Sequence, residues 1–105
     1  MADVCWTGGI TELKKIASLA ETHHVPISPH GAMGPIQIIA GAHAVKTVPN
    51  LYRLEITSLW LPAFNKAMSQ PLDVRNGSIY LSERPGLGVE LDMHWVEAHP
   101  DPEWT

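Results

Sequence analysis

Residues 25–45, VPISPHGAMGPIQIIAGAHAV, place a short apolar run directly before an apolar helix. The run predicts a brief buried strand whose end presents His30, although its prolines are unfavourable in a central antiparallel strand. Gly34-Pro35 predicts the start of the helix, because proline is favoured at the first helical position. The helix is apolar on nearly all sides until about Lys46, so we expect it to be covered on more than one face.

The segments on either side continue the alternation of strand and helix. Residues 1–6 are mostly apolar and stop at Gly8-Gly9, which predicts a buried strand. Thr11 is expected to cap an amphipathic helix that ends near His23. Residues 51–56 alternate apolar and polar side chains like a third strand. The order strand, helix, strand, helix, strand is typical of parallel βαβ units with right-handed crossovers.

The second half of the chain departs from this alternation. Asn76-Gly77 is a strong signal for a hairpin. The expected features are one helical turn at 63–68, strands at 72–75 and 78–81, a turn with a short extended run at 85–92, and an irregular tail at 95–105.

Three parallel strands and two helices do not form a closed α/β architecture. A barrel of eight such units takes about 250 residues, and this chain has 105. An open sheet would leave two strand edges unpaired and the second helix poorly covered. The pattern therefore favours a piece of a larger fold, which we divide into residues 1–71 and residues 72–105.

The composition excludes several classes of function. Seven Lys and Arg residues against eleven Asp and Glu give a net charge of -4, the wrong balance for a protein that neutralises phosphates. No run approaches the roughly 20 apolar residues of a membrane span, and no signal peptide is recognisable. We expect a soluble, cytoplasmic protein that binds neither nucleic acid nor membrane. The lone Cys5 agrees with a reducing compartment and is expected in the core, where it would not act as a nucleophile.

Three side chains stand at or near the ends of the three predicted strands: Asp3, His30 and Glu55. The carboxyl ends of neighbouring parallel strands meet at one mouth, where functional groups collect. An imidazole is suited to proton transfer near neutral pH, and a carboxylate bonded to its second nitrogen holds the tautomer and stabilises the charged form. The pattern therefore indicates a candidate acid/base site.

Structural interpretations of the same residues remain open. Asp3 could cap a turn, Glu55 could face solvent, and His30 could be a loop residue with one backbone hydrogen bond. His23-His24 at a helix end favours an interaction with the helix dipole over a metal, and His43 favours packing. A structural zinc site is disfavoured, because one cysteine and scattered histidines lack the required spacing.

Four motifs occur in the order of a known family: DVCWTGGIT at 3–11, SPH at 28–30, LE at 54–55 and PGLGVEL at 85–91. Together they resemble the C-terminal part of the mandelate racemase/muconate lactonizing enzyme family of the enolase superfamily. The nearest resemblance is to galactonate dehydratase-like sugar-acid dehydratases. It covers nearly the whole chain.

The resemblance implies the C-terminal part of a (β/α)7β barrel, with residues from about 72 onward in an α+β capping domain. Asp3, His30 and Glu55 would end the sixth, seventh and eighth barrel strands. The implied chemistry is abstraction of a proton alpha to a carboxylate, with Mg²⁺ stabilising the ene-diolate. His30 would act as general acid/base and protonate the departing hydroxyl, Asp3 would orient it, and Glu55 would hydrogen-bond the substrate carboxylate.

The resemblance also implies what is missing. The metal-binding carboxylates and the second acid/base group belong to earlier strands, so we expect no metal ligand in this chain. We expect a C-terminal fragment that is inactive alone and belongs to a Mg²⁺-dependent sugar-acid dehydratase, a homo-oligomer when full length. The alternatives are a racemase, epimerase or cycloisomerase of the same family, or a non-catalytic interaction fragment.

Overall fold

The computed structural model describes residues 1–101, which hold four helices and one β-hairpin. The architecture is α/β, as the sequence predicts, although the regular strands are fewer than expected. The elements in chain order are α1 (Ile10–Thr22), α2 (Pro35–Val45), α3 (Leu61–Lys66), β1 (Asp73–Arg75), β2 (Ser78–Tyr80) and α4 (Met93–Ala98).

Helix α1 begins earlier than the sequence predicts. Gly9 takes the N-cap position with φ of 100°, a conformation open to glycine, and Thr11 lies inside the first turn. The prediction of Thr11 as the cap is therefore wrong, whereas the end near His23 is confirmed. Leu13 and Ala17 form the buried stripe of the helix.

Helix α2 begins and ends where it was predicted. Gly34 is its N-cap, Pro35 is its first residue, and seven of its eleven residues are buried. It is covered on two sides, as its all-round apolar character requires. On one side Leu13 of α1 packs with Ala44, and on another Ile38 and Ile39 lie in a cluster with the second half of the chain.

The three predicted parallel strands are wrong as regular strands. Residues 1–6 contain no strand, since a turn begins at Val4 and continues to Gly8. The other two segments share one parallel bridge, between Ile27 and Leu51. The bridge has two hydrogen bonds, from Ile27 N to Asn50 O at 2.9 Å and from Tyr52 N to Ile27 O at 2.8 Å. The next step of the ladder would need a donor at residue 29, and Pro29 has no N–H group.

The segments nevertheless run side by side beyond that bridge. Glu55 N donates to Pro29 O at 3.1 Å, and Thr57 N donates to Gly31 O at 3.3 Å. On the other side, His30 N donates to Ala2 O at 2.8 Å. Irregular backbone pairing therefore keeps the predicted neighbour order and brings the three segment ends together.

The predicted hairpin is confirmed. β1 and β2 pair antiparallel with Val74 opposite Ile79. Asn76 and Gly77 have φ of 52° and 72°, as a two-residue hairpin turn with two positive φ angles requires. The inner side of the hairpin packs on the cluster that contains Ile38 of α2. The division of the chain at residue 71 stays a prediction.

The two remaining helices had different outcomes, since one was predicted and the other was not. The predicted helical turn in 63–68 is confirmed as α3, slightly earlier in the chain. The expected irregular tail is wrong over α4, where Asp92 caps the helix by accepting a hydrogen bond from Trp95 N at 3.2 Å. Residues 102–105 of that predicted tail lie outside the described residues. No helix in residues 1–101 has the length and hydropathy that crossing a membrane requires.

Candidate active site

Asp3 is a buried carboxylate with an exposed fraction of 8%. It precedes the turn that replaces the first predicted strand. Its Oδ1 atom accepts hydrogen bonds from Cys5 N at 2.7 Å and Trp6 N at 3.3 Å. The turn-capping interpretation of Asp3 is thus confirmed, and it leaves the second oxygen of the carboxylate for another partner.

That partner is His30. Nδ1 of His30 lies 2.7 Å from Asp3 Oδ2, a distance typical of a strong hydrogen bond. Burial by itself raises the pKa of the Asp3 carboxyl, but the hydrogen bonds from His30, Cys5 N and Trp6 N outweigh it. The pKa of Asp3 therefore lies below its ordinary value, and Asp3 is a carboxylate at neutral pH.

An ionised Asp3 selects the tautomer of His30. A carboxylate only accepts hydrogen bonds, so Nδ1 must carry the hydrogen that it donates. Nε2 of neutral His30 is then the free basic nitrogen of the ring. The His30 side chain is 29% exposed, which leaves it accessible on the side away from Asp3.

Glu55 lies on the Nε2 side of the ring. Its Oε2 atom is 3.8 Å from His30 Nε2 and accepts a hydrogen bond from Gly31 N at 3.2 Å. Gly31 is required for this approach, because a Cβ atom there would lie 1.8 Å from Glu55 O. The three side chains predicted from the sequence are therefore brought together, although none of them ends a regular strand.

Gln37 is a site residue that the sequence reasoning missed. Its side-chain amide donates from Nε2 to Asp3 Oδ2, the oxygen that also accepts from His30. The signal that could have identified it is a single amide side chain among the apolar residues 35–42 of the predicted helix.

Two other sequence predictions have clear outcomes. Cys5 is exposed, so its expected place in the core is wrong. Local desolvation and the nearby Asp3 carboxylate raise the pKa of its thiol, which disfavours a reactive thiolate. His43 fits the predicted structural role, since its Nε2 lies within hydrogen-bond distance of Leu87 O, at 3.1 Å.

Comparison with known proteins places the chain in a family. Residues 1–95 match the family model described as enolase C-terminal domain-like. The chain belongs to the enolase C-terminal domain-like family. The predicted resemblance to mandelate racemase/muconate lactonizing enzymes is thereby confirmed.

Relatives of this enolase-family chain include sugar-acid dehydratases. It is 35% identical to D-xylonate dehydratase of Haloferax volcanii over 97 residues, which are 92% of this chain and 24% of that protein. It is 33% identical to D-mannonate dehydratase of Caulobacter vibrioides over 101 residues, 94% of this chain and 25% of that protein. The chain therefore spans about a quarter of the length of these relatives.

A solved structure of this enzyme family has a similar backbone over most of the chain. The mandelate racemase/muconate lactonizing enzyme-like protein from Rubrobacter xylanophilus superposes with a TM-score of 0.81 and 35% identity. The match covers 91% of this chain and 25% of that structure. The irregular strand segments of the enolase-family chain thus follow the backbone course of a much longer protein.

Members of the enolase superfamily typically use Mg²⁺, but the described residues of this chain do not form a site for it. Both oxygens of Asp3 accept hydrogen bonds from N–H groups, and Glu55 Oε2 accepts one from Gly31 N. Within residues 1–101, no three His, Cys, Asp or Glu side chains come together as metal ligands. That the chain itself supplies no metal ligand stays a prediction.

Proposed function

We propose that this chain supplies the His30 side of the active site of an aldonate dehydratase, a hydro-lyase. The observation that carries the proposal is the 2.7 Å contact between Asp3 Oδ2 and His30 Nδ1, with Nε2 left accessible next to Glu55. The dehydratase names of the relatives support the reaction class. The substrate would be a small sugar acid.

His30 would act as the general acid of the dehydration. A base outside the described residues takes the proton alpha to the carboxylate, and the electron pair of that C–H bond forms the new carbon–carbon double bond. The bond from the adjacent carbon to its hydroxyl then breaks, and His30 donates its Nε2 proton so that water leaves. Asp3 stabilises the imidazolium before this step and keeps Nδ1 protonated after it.

Glu55 would bind the substrate carboxylate. A carboxyl group donates a hydrogen bond to another carboxylate only while it carries a proton, so this role requires protonated Glu55 in the complex. Gly31 N would position the same carboxyl group, as it does in the described structure.

Mg²⁺ would supply electrostatic stabilisation of the ene-diolate in the complete enzyme. The described residues do not provide its ligands, which would come from protein outside them. For the same reason we propose that the 105 residues are inactive alone. A cytoplasmic location and a homo-oligomeric state of the complete protein remain predictions.

The test is to express the complete reading frame that contains this chain and assay a panel of aldonates with Mg²⁺. Formation of a 2-keto-3-deoxy product is expected, and His30→Asn should lower kcat by at least about a hundredfold. Gln70→Met, at an exposed position outside the site, is the control and should leave kcat unchanged.

Two results would overturn the proposal. One is the absence of turnover with every aldonate, and the other is full activity of the His30→Asn enzyme. Exchange of the alpha proton with solvent deuterium without loss of water would instead favour a racemase or epimerase, because the same His–Asp pair can serve those reactions. That outcome contradicts the dehydratase assignment while it retains the role of His30.

A further inference from the structure

Gln37 is buried in a helix whose other core-facing side chains are apolar. Its exposed fraction is 3%, and it belongs to the first turn of α2. Burying an amide without hydrogen bonds costs about 1–3 kcal/mol by mutational data. The buried amide of Gln37 must therefore have hydrogen-bond partners, and these partners indicate what the residue does.

The orientation of the Gln37 amide follows from its partners. Met33 N donates to Oε1 of Gln37 at 2.7 Å, and a backbone N–H group can only be met by an acceptor. Oε1 is therefore the carbonyl oxygen, and the amide NH₂ group faces Asp3 Oδ2. The alternative orientation would set two donors against each other at Met33 and two acceptors against each other at Asp3.

Gln37 and His30 share one oxygen of Asp3. Nε2 of Gln37 is also 3.3 Å from His30 Nδ1, but both nitrogens carry hydrogens in the tautomer that Asp3 selects. This contact is therefore between two donors that converge on Asp3 Oδ2. Cys5 N and Trp6 N donate to the other oxygen, Oδ1, so both oxygens of the carboxylate are held by hydrogen bonds.

We propose that Gln37 is a positioning residue of the acid/base pair, holding Asp3 Oδ2 against His30 Nδ1 and tying the loop that follows His30 to helix α2. The hydrogen bond from Met33 N provides the second half of this link, since Met33 lies in that loop. The inference rests on the proposed function for its kinetic consequence, but its structural content stands on the hydrogen bonds alone.

The first test is Gln37→Met in the complete enzyme, with Gln70→Met as the matched control. Methionine keeps the length of the side chain and removes both amide hydrogen bonds. We expect kcat to fall about tenfold to a hundredfold with KM within about twofold, because a small displacement of an acid/base group lowers the rate without loss of substrate binding. Gln70→Met should leave both constants unchanged.

A second variant, Gln37→Glu, separates positioning from folding. The introduced carboxyl can donate to Asp3 Oδ2 only while it is protonated, and the titratable groups within hydrogen-bond distance are Asp3 and His30. The ratio of its kcat to that of the wild type should therefore fall by about tenfold or more between pH 5 and pH 8, as the introduced carboxyl ionises beside Asp3. A purely structural role would give a ratio that does not change with pH.

The tautomer of His30 gives a readout that is independent of turnover. Nitrogen-15 NMR of histidine-labelled protein should show predominantly the Nδ1–H form in the wild type and in Gln70→Met, and a mixture in Gln37→Met. If no aldonate is turned over, the proposed function fails, and an unchanged tautomer in Gln37→Met then separately overturns the positioning role. In an active enzyme, wild-type kcat for Gln37→Met or a pH-independent ratio for Gln37→Glu overturns it.

Discussion

At the scale of single residues, the two oxygens of Asp3 have different partners. Oδ1 accepts from the backbone at Cys5 and Trp6, and Oδ2 accepts from His30 and Gln37. The backbone donors cannot become acceptors, so the chemistry of Oδ1 is fixed by the turn. An asparagine at this position is therefore expected to keep its oxygen at the Oδ1 position, because His30 can move its hydrogen to the other ring nitrogen whereas the backbone donors cannot change.

Asp3→Asn is predicted to invert the tautomer of His30. The amide oxygen will take the place of Oδ1 against Cys5 N and Trp6 N, which leaves the NH₂ group facing His30 Nδ1. Nδ1 must then accept, and the hydrogen moves to Nε2. Nitrogen-15 NMR should show the Nε2–H form, and kcat of the complete enzyme should fall on the order of 10³ to 10⁴-fold, as in a serine protease with the equivalent change.

The matched control for this prediction is Asp73→Asn, which removes a carboxylate at the exposed hairpin. It should leave the His30 spectrum unchanged. Persistence of the Nδ1–H form in Asp3→Asn would contradict the assignment of the backbone donors to one oxygen.

The lowered pKa of Asp3 also predicts a pH dependence of folding stability. A carboxyl group whose pKa is lower in the folded state contributes stability that is fully present above its unfolded pKa, about 3.9. This contribution is lost as the pH falls through the folded pKa. Urea unfolding of the chain should therefore show that the destabilisation caused by Asp3→Asn shrinks between pH 5 and pH 2. A difference in unfolding free energy between the wild-type chain and Asp3→Asn that grows as the pH falls would contradict this prediction.

At the scale of elements, opposite effects are expected from alanine at two glycines, Gly31 in the loop before α2 and Gly41 within the helix. Gly31→Ala puts a Cβ atom 1.8 Å from Glu55 O, where only a backbone shift can relieve the clash. Gly41→Ala puts a Cβ atom 3.6 Å from Leu54 Cδ1, which is an ordinary van der Waals distance. The substitution also replaces a conformationally flexible residue within a helix.

We expect Gly31→Ala to lower the free energy of unfolding by about 2 kcal/mol or more. Gly41→Ala should raise it by up to about 1 kcal/mol. Chemical denaturation of both variants measures the difference. Equal changes in the free energy of unfolding for Gly31→Ala and Gly41→Ala would mean that the loop after His30 does not lie as close to Glu55 as the structure indicates.

The pairing of the extended segments explains why their prediction succeeded in one respect and failed in another. The alternation of apolar runs with helices correctly predicted which segments lie side by side. Pro29 removes the donor that would continue the ladder from the bridge at Ile27 and Leu51, so regular strands do not form there. The turn after Asp3, which the sequence offered only as an alternative to a strand, is held by the Asp3 carboxylate as acceptor for Cys5 N and Trp6 N and by the bond from Thr7 N to Asp3 O.

At the scale of the whole molecule, residues 1–101 hold three separate clusters of buried apolar residues around α2. The candidate acid/base pair, Asp3 and His30, lies near the N-terminal end of this helix, where Gln37 donates a hydrogen bond to Asp3. No group of His, Cys, Asp or Glu side chains in residues 1–101 forms a metal site, so the Mg²⁺ of the proposed enzyme would have to be bound by protein outside these residues.

We predict that the purified 105-residue chain binds Mg²⁺ only weakly and without defined stoichiometry. Isothermal titration calorimetry with millimolar MgCl₂ measures this, and the complete protein serves as the positive control. Stoichiometric binding by the chain alone would contradict the inference that both oxygens of Asp3 and Oε2 of Glu55 are occupied by N–H donors. It would also remove the reason for expecting the chain to be inactive by itself.

The sequence by itself determined α2, the hairpin at Asn76-Gly77 and the three side chains of the candidate site. These depend on local signals, namely apolar periodicity, proline and glycine at defined positions, and polar residues after apolar runs. Only the tertiary structure decided that Gln37 completes the site and that Cys5 is exposed. The physical reason is that the hydrogen bonds of a buried carboxylate join residues far apart in the chain, and their geometry depends on how the segments pack.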